Sequence, residues 1–349
     1  MRGVVFLGER KLEIREFKDP TPGPGEVVLQ IKASGMCGSD LNPYRAPRSS
    51  GIRDLGVKAL SAPVIAGHEP CGVVAAVGPH VLEAQACVGM RTMVHHYWGC
   101  GVCKHCRSGW SQLCLKQITV YGFTDHGAHA EYMKVPAATL VPLPEELPFE
   151  VGAAISCGTG TAYGALKRVG LTGRETIAVF GQGPVGLSAT QLAKGMGARV
   201  IALDLNEERL ALAKGFGADV TINPKEDDAV KAIKELTHGE GAELTMDCTG
   251  NPDARLAAVR SARTWGTVGL VGEGNTLTLD VSTDLMRRQL TLVASWTFST
   301  VGQAECARFV ADRGIPVEKL FTHRYRLDQA EEAYKEFDKQ SSGKGVFMP

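Results

Sequence analysis

Net charge is the first thing this 349-residue sequence lacks: Lys plus Arg and Asp plus Glu each number 38, and the isoelectric point lies near 7.1. Without a surplus of either sign the chain has no electrostatic footprint for nucleic acid or an acidic membrane surface, so small molecules are the expected ligands. Long apolar runs are missing too. The opening segment MRGVVFLGERKLEIREF is broken early by Glu9, Arg10 and Lys11. It fits neither a signal-peptide core nor a membrane-spanning helix, and a cytoplasmic protein is expected. There is no internal repeat and no low-complexity block, since the 41 glycines fall at turns between apolar stretches. What remains is the composition of an ordinary folded protein, 44% hydrophobic and 22% charged, at a length that suits two domains with a core each.

Cysteine is unevenly distributed. The run CGVCKHCRSGWSQLC holds Cys100, Cys103, Cys106 and Cys114, close enough in sequence to converge on one tetrahedral ion, which predicts a structural zinc. Disulfides are the alternative. A chain this long with its other cysteines scattered singly reads as intracellular, where thiols stay reduced. A closed four-thiolate site has no open coordination position, so chemistry must be sought elsewhere. Cys71, Cys87, Cys248 and Cys306 sit in apolar patterns and read as buried core rather than as redox-sensing thiols.

Residues 1 to about 150 consist of short β-type pieces such as EVVLQIKASG and GVVAAVGPHV, separated by Pro/Gly punctuation such as PTPGPGE. From about 155 to 295 apolar strands alternate with helices: TIAVFG, a helix from Pro184, ARVIALD, a helix from Asn206, ADVTI, a helix from Asp227, AELTMDC, a helix from Pro252, GTVGLVG and QLTLVAS. That alternation predicts an α/β fold with a doubly wound parallel sheet. The tail reads as a helix from Val301, an apolar stretch, a helix from Asp328 and a short strand, GVFMP. It is expected to rejoin the amino-terminal lobe, giving one domain from residues 1–155 and 297–349 and an inserted nucleotide domain at 156–296.

Within TIAVFGQGPVGLSATQLAKGMG, Gly181, Gly183 and Gly186 form G-x-G-x-x-G between a strand and the helix that opens at Pro184 and Val185. The first glycine permits the tight turn, the second admits a pyrophosphate, and the third lets the helix lie close to the strand. The next strand ends in Asp204, placed to accept from ribose hydroxyls and repel a 2′-phosphate, which favours NAD over NADP. Arg209 could accommodate that phosphate and tempers the preference. Asp204 also has a plainer reading, as an acid at a helix N-terminus.

Cys37 in SGMCGSD, His68 in AGHEP and Cys157 in AISCGTG each have glycine close by. Singly, each reads equally as a buried core residue; together they could form an open zinc site that lowers an alcohol's pKa.

At these residues the chain resembles the zinc-dependent medium-chain alcohol dehydrogenases, including the polyol, butanediol and threonine dehydrogenase branches. The resemblance runs through PGPGEV, CGSD, GHE, the four-cysteine loop, Cys157 and the Gly-rich turn with Asp204. It implies a GroES-like catalytic domain with an inserted Rossmann domain, two zinc ions per subunit, and a homodimer or homotetramer. It further implies Cys37, His68 and Cys157 as catalytic ligands, Glu69 as an alternative ligand, Asp40 as the partner of His68, and Ser39 as the hydroxyl that takes the substrate proton. Thr159, Thr249, Val271 and Gly272 fall at positions that contact the cofactor. The resulting expectation is hydride transfer between a secondary alcohol, diol or polyol and NAD.

Two departures stand out. The family's relay histidine falls at Asn42, which cannot carry a proton as a titrating base, so the proton would leave Ser39 through the cofactor ribose and water, or through His95 or His96. That pair reads alternatively as part of a solvated loop. Several polyol enzymes have glutamate where this chain has Cys157, although His96 and Tyr97 suit a hydroxylated substrate. The stretch from Asn42 to Ala62 is long and polar and is expected to form a lid or pocket wall. The rivals are a threonine-type amino alcohol dehydrogenase and, from another class, a non-catalytic NAD-binding scaffold.

Overall fold

The computed structural model describes residues 1–47, 63–339 and 343–349; most of the expected lid, residues 48–62, lies outside them. In the middle of the chain the runs rich in Ile, Val and Ala become strands with fully buried side chains, such as Thr176–Phe180 and Arg199–Leu203. Six strands lie side by side in the order Val220–Ile222, Arg199–Leu203, Thr176–Phe180, Ala242–Asp247, Ala262–Leu270, Thr291–Ala294. Every neighbouring pair is parallel. The order reverses on either side of Thr176–Phe180, so the connections leave in opposite directions and open a crevice at the carboxyl ends of the strands.

Helix boundaries follow local chemistry. Pro184 occupies the first turn of Pro184–Met196, and Gly197 ends it in the left-handed region with φ 101°. Asn206, Asp228, Asn251 and Ser299 each accept backbone N–H groups at the start of the next helices. The helix expected from Asp227 therefore begins at Ala229, with Asp228 as its cap.

The second large sheet mixes both ends of the chain. Its order is Phe321–Tyr325, Lys344–Phe347, Glu26–Gly35, Glu69–Val77, Arg91–Val94, Leu140–Pro142, with Tyr132–Pro136 also paired to Glu26–Gly35. The last strand pairs antiparallel with the third, Val346 against Gly35 and Phe347 against Ser34. The C-terminal tail thus completes the amino-terminal sheet. One continuous apolar core runs from Cys71, Met93 and Leu143 through Ile155 and Leu166 to Val179 and Leu192. Each such aliphatic side chain, removed from water, contributes about 1.5–3 kcal/mol toward holding the two lobes together. Cys71 and Cys306 are buried as expected, Cys248 is half-buried, and Cys87 is exposed, a correction to its reading as core. Cys87 lies in a turn where Ala86 alone is buried and even Val88 is exposed, so its apolar neighbours do not carry burial.

Candidate functional site

The antiparallel register pairs Gly35 with Glu69, so the chain leaving one strand passes beside the chain entering the next. Cys37 lies two residues past Gly35, at the start of the single turn Gly38–Asp40, and His68 immediately precedes the strand Glu69–Val77. Cys157 sits at the break between helices Phe149–Ile155 and Gly158–Arg168, with an irregular backbone of φ −147° and ψ −86°. One donor atom from each of Cys37, His68, Glu69 and Cys157 falls within 4.8 Å of the others. The two Sγ atoms are 4.0 Å apart, against the roughly 3.8 Å that two thiolates span on a tetrahedral zinc.

A hydrogen-bonded frame surrounds these donors. His68 Nδ1 donates to Asp40 Oδ1 at 2.8 Å, and the other carboxylate oxygen accepts the Cys37 backbone N–H, also at 2.8 Å. One buried carboxylate therefore ties two ligand candidates together, and the other ring nitrogen, His68 Nε2, is left 3.2 Å from Ser39 Oγ. Cys37 is held well below the ordinary thiol range, chiefly by a hydrogen bond from Cys157; burial opposes this and His68 assists it. The same shared hydrogen bond, with burial, pushes Cys157 well up. A cation bound by both sulfurs would need both thiols deprotonated, as a thiolate metal site requires.

Glu69 was anticipated, but its partner was not. Lys344, 2% exposed, places Nζ 2.7 Å and 2.6 Å from the two Glu69 oxygens and donates to the Met36 carbonyl at 2.9 Å. Burial pushes the Glu69 carboxyl up to about 8, against the pull of Lys344. The only hint in sequence was a lysine heading an otherwise apolar terminal strand.

His95 and His96 are buried, at 0% and 1% exposure, which overturns the solvated-loop reading. His96 Nδ1 donates to the Ser156 carbonyl at 2.9 Å, next to Cys157, and its ring lies 5.1 Å from that of His68. Tyr97, Trp296 and Phe298 pack around the pair. Asn42 is exposed on the short helix Leu41–Arg45.

The second cysteine group is local. Donor atoms of Cys100, Cys103, Cys106 and Cys114 also lie within 4.8 Å of one another, with Cys103 Sγ 3.5 Å from Cys106 Sγ. The Cys100 and Lys116 backbone N–H groups point at Cys114 Sγ, at 3.2 and 3.4 Å. Four convergent sulfurs with backbone donors aimed at them fit a closed thiolate site.

At the Gly-rich turn the three glycines do different things. Gly181 has φ 88°; a Cβ on Gly183 would meet nothing within 4 Å; one on Gly186 would sit 1.7 Å from the Gly181 carbonyl oxygen. The turn is tight, its outer side is open, and the helix is pressed against the strand, the shape a pyrophosphate needs. Asp204 lies at the next strand end, where its carboxylate accepts from the Gln182 and Asn206 N–H groups at 2.6 and 3.0 Å, 3.8 Å from Arg209 Nη1. Asn206, not Asp204, caps the following helix. Val271 and Gly272 both donate through backbone N–H to the Asp247 carbonyl, and Thr249 donates to the Asp247 carboxylate. Thr249 lies against Gly181, and Gly272 lies against the Thr249–Gly250 backbone. A buried Asp247–Arg255 pair at 3.0 Å, unforeseen, anchors that edge. Thr159 is buried and hydrogen-bonds Ser188 of the nucleotide helix at 2.9 Å. A cleft lined by Met36 and Gly38 on one side and Pro184 and Arg209 on the other brings this turn up to the Cys37–Ser39 segment.

Known proteins share this arrangement. Residues 184–312 match the family described as zinc-binding dehydrogenase, and residues 23–145 the alcohol dehydrogenase GroES-like domain. An uncharacterized zinc-type alcohol dehydrogenase-like protein YphC of Escherichia coli K12 is 39% identical over 99% of this chain and 98% of its own length. An L-threonine 3-dehydrogenase of Symbiobacterium thermophilum is 33% identical over 97% of both chains. The solved alcohol dehydrogenase TADH from Thermus sp. ATN1 superposes with a TM-score of 0.90 at 28% identity, covering 100% of this chain and 99% of that one.

Proposed function

This chain belongs to the zinc-dependent medium-chain alcohol dehydrogenase family, and we propose that it transfers a hydride between a secondary alcohol, diol or polyol and NAD. The observation that carries the reading is the convergence of Cys37, His68, Glu69 and Cys157 within 4.8 Å beside the crevice of the parallel sheet. Cys37, His68 and Cys157 would hold a catalytic zinc, with Glu69 as an alternative ligand, and Cys100, Cys103, Cys106 and Cys114 a structural one. When bound, the catalytic ion supplies Lewis acidity that lowers the pKa of an alcohol.

The chain's own residues do the rest. Asp40 fixes the tautomer of His68 by accepting from Nδ1, leaving Nε2 to face the cation. Ser39 Oγ, beside that nitrogen, takes the substrate proton. His96 holds Ser156, and through it the backbone of Cys157. Gly181, Gly183, Pro184, Val185 and Gly186 receive the dinucleotide phosphates at the helix N-terminus, and Asp204 selects the free ribose of NAD. Thr159, Thr249, Val271 and Gly272 border the nicotinamide end. Asn42 is exposed and His95 enclosed, so a bound cofactor's ribose would supply the hydroxyl that carries the proton on from Ser39.

The catalytic lobe comprises residues 1–155 and 297–349 and the nucleotide lobe 156–296. A cytoplasmic location and a homodimer or homotetramer complete the reading; the edge strand Thr291–Ala294 is available to extend its sheet across a two-fold axis. A second reading, oxidation of a hydroxyl next to an amine, is favoured by the threonine dehydrogenase relative. Initial rates of NAD and NADP reduction with secondary alcohols, vicinal diols, polyols, threonine and primary alcohols decide between them. Turnover on diols or polyols with NAD is expected; silence across the panel from protein carrying two zinc ions would return the scaffold reading.

A further inference from the structure

A second histidine lies buried behind the first. His129 is fully enclosed, accepts or donates at both ring nitrogens, and takes no part in the chemistry above: Nδ1 is 2.7 Å from Ser34 Oγ and Nε2 is 2.8 Å from the Tyr334 hydroxyl. Tyr334 comes from the C-terminal helix Ala330–Asp338. The ring of His129 presses on the backbone just before His68. A Cβ on Gly67, which has φ 87°, would lie 2.3 Å from His129 Nδ1. His129 also donates through its backbone N–H to the Ala66 carbonyl, and Ala128 to that of Gly67, at 2.9 and 2.8 Å.

The proton positions are linked. A neutral imidazole has one donor and one acceptor, so one of the Ser34 and Tyr334 hydroxyls donates to the ring and the other accepts from it. Burial keeps the ring in that neutral form, lowering its pKa to about 4 against the pull of Asp40. The hydrogen bonds of the line Ser34–His129–Tyr334 therefore all run in one direction. Aligned hydrogen bonds of this kind polarise one another in a dry interior. The line ends blind at Ser34, itself 0% exposed, so it cannot deliver protons to solvent.

We infer that His129 and Tyr334 are positioning residues for the metal centre, Tyr334 holding the His129 ring and His129 the Gly67–His68 backbone, so that His68 presents Nε2 at one fixed angle. The inference rests on the proposed catalytic metal site. Residues behind a ligand are worth roughly 10–100-fold in metal affinity when removed.

The test follows release of that metal to a chelator, identified as the phase absent from His68→Ala, together with the visible spectrum of the cobalt-substituted protein. Tyr334→Phe is expected to release metal about tenfold faster and to shift the cobalt bands. Tyr334→Phe with His129→Phe removes both partners of one hydrogen bond, and the Ser34 hydroxyl is then the group that loses its partner. The thermal stability of this double variant should return toward that of the unaltered protein while metal release stays fast. Unaltered release and spectrum in Tyr334→Phe would overturn the inference, as would a double variant that regains both properties. A starting protein with no metal beyond the four-cysteine loop would overturn the site itself, and the inference with it.

Discussion

The chain carries two four-donor clusters of the same size, built in opposite ways. Cys100, Cys103, Cys106 and Cys114 come from one half-exposed loop whose own backbone N–H groups point at the sulfurs. Cys37, His68, Glu69 and Cys157 are gathered across 120 residues, and the cluster is enclosed by groups that are not ligands: Asp40, Lys344 and His96. A loop that supplies both donors and their hydrogen bonds can only close on an ion. A cluster that imports its supporting charges from other elements can leave one side open to the crevice and set the basicity of each donor separately.

The widest separation should come from exchanging the loss between the clusters. His68→Ala is expected to lower turnover at least about a thousandfold while thermal unfolding moves by only a few degrees. Cys103→Ser should do the reverse. With one thiolate gone the loop cannot close, and because metal binding in such a site is coupled to folding, the unfolding midpoint should drop by on the order of 10 °C. Metal analysis should find about one zinc per chain in each variant, against two in the parent. Equal effects of both substitutions on stability would erase the distinction between a structural and a chemical cluster.

The same contrast explains what could be read from sequence. The four-cysteine loop was legible because its geometry is local: spacing alone brings the sulfurs together. The parallel sheet was legible too, because each strand and helix carries its own periodicity and caps, as in Ile177–Phe180 followed by Gly181 and Pro184. Cys37, His68 and Cys157 were singled out only as uncertain individuals until a family resemblance joined them, since pairing of Gly35 with Glu69 is a property of the sheet register. Lys344 lies 275 residues from Glu69, and Tyr334 lies 205 from His129. Nothing in local pattern marks such partners, because a lysine or tyrosine near the C-terminus reads as surface until the last strand is seen to join the first sheet. The solvated-loop alternative for His95 and His96 failed for a related reason: a polar pair beside a glycine-rich loop reads as solvated, and the aromatic packing of Tyr97 and Phe298 encloses it.

Lys344 sharpens the contrast, since the cysteine loop has no counterpart to it among the described residues. Removing one member of a buried pair leaves the other charge uncompensated, at about 3–5 kcal/mol. Lys344→Met should therefore destabilise the protein by about 3 kcal/mol in denaturant unfolding, and adding Glu69→Gln should recover a large part of that loss. A double variant as unstable as the single one would mean that Lys344 acts through packing of its stem and not through charge.

The smallest effect concerns His95, which sits on the segment joining the two clusters. Burial lowers its pKa to about 4, although Gln112 and Gln303, which face it, pull the other way. In the unfolded chain the same imidazole titrates near 6.5. The unfolded state therefore binds a proton that the folded state refuses between those values, so the stabilising contribution is complete above about pH 6.5 and is lost as pH falls toward 4. The span corresponds to about 3 kcal/mol, and His129, lowered to about 4 as well, adds a loss of the same sign. Urea unfolding from pH 7 to pH 4.5 should show a falling stability whose slope His95→Leu reduces by about a third, since burial also lowers His96 and His129. An undiminished slope in that variant would assign the acid loss to the carboxylates, and would leave the bridge between the clusters indifferent to its own histidine.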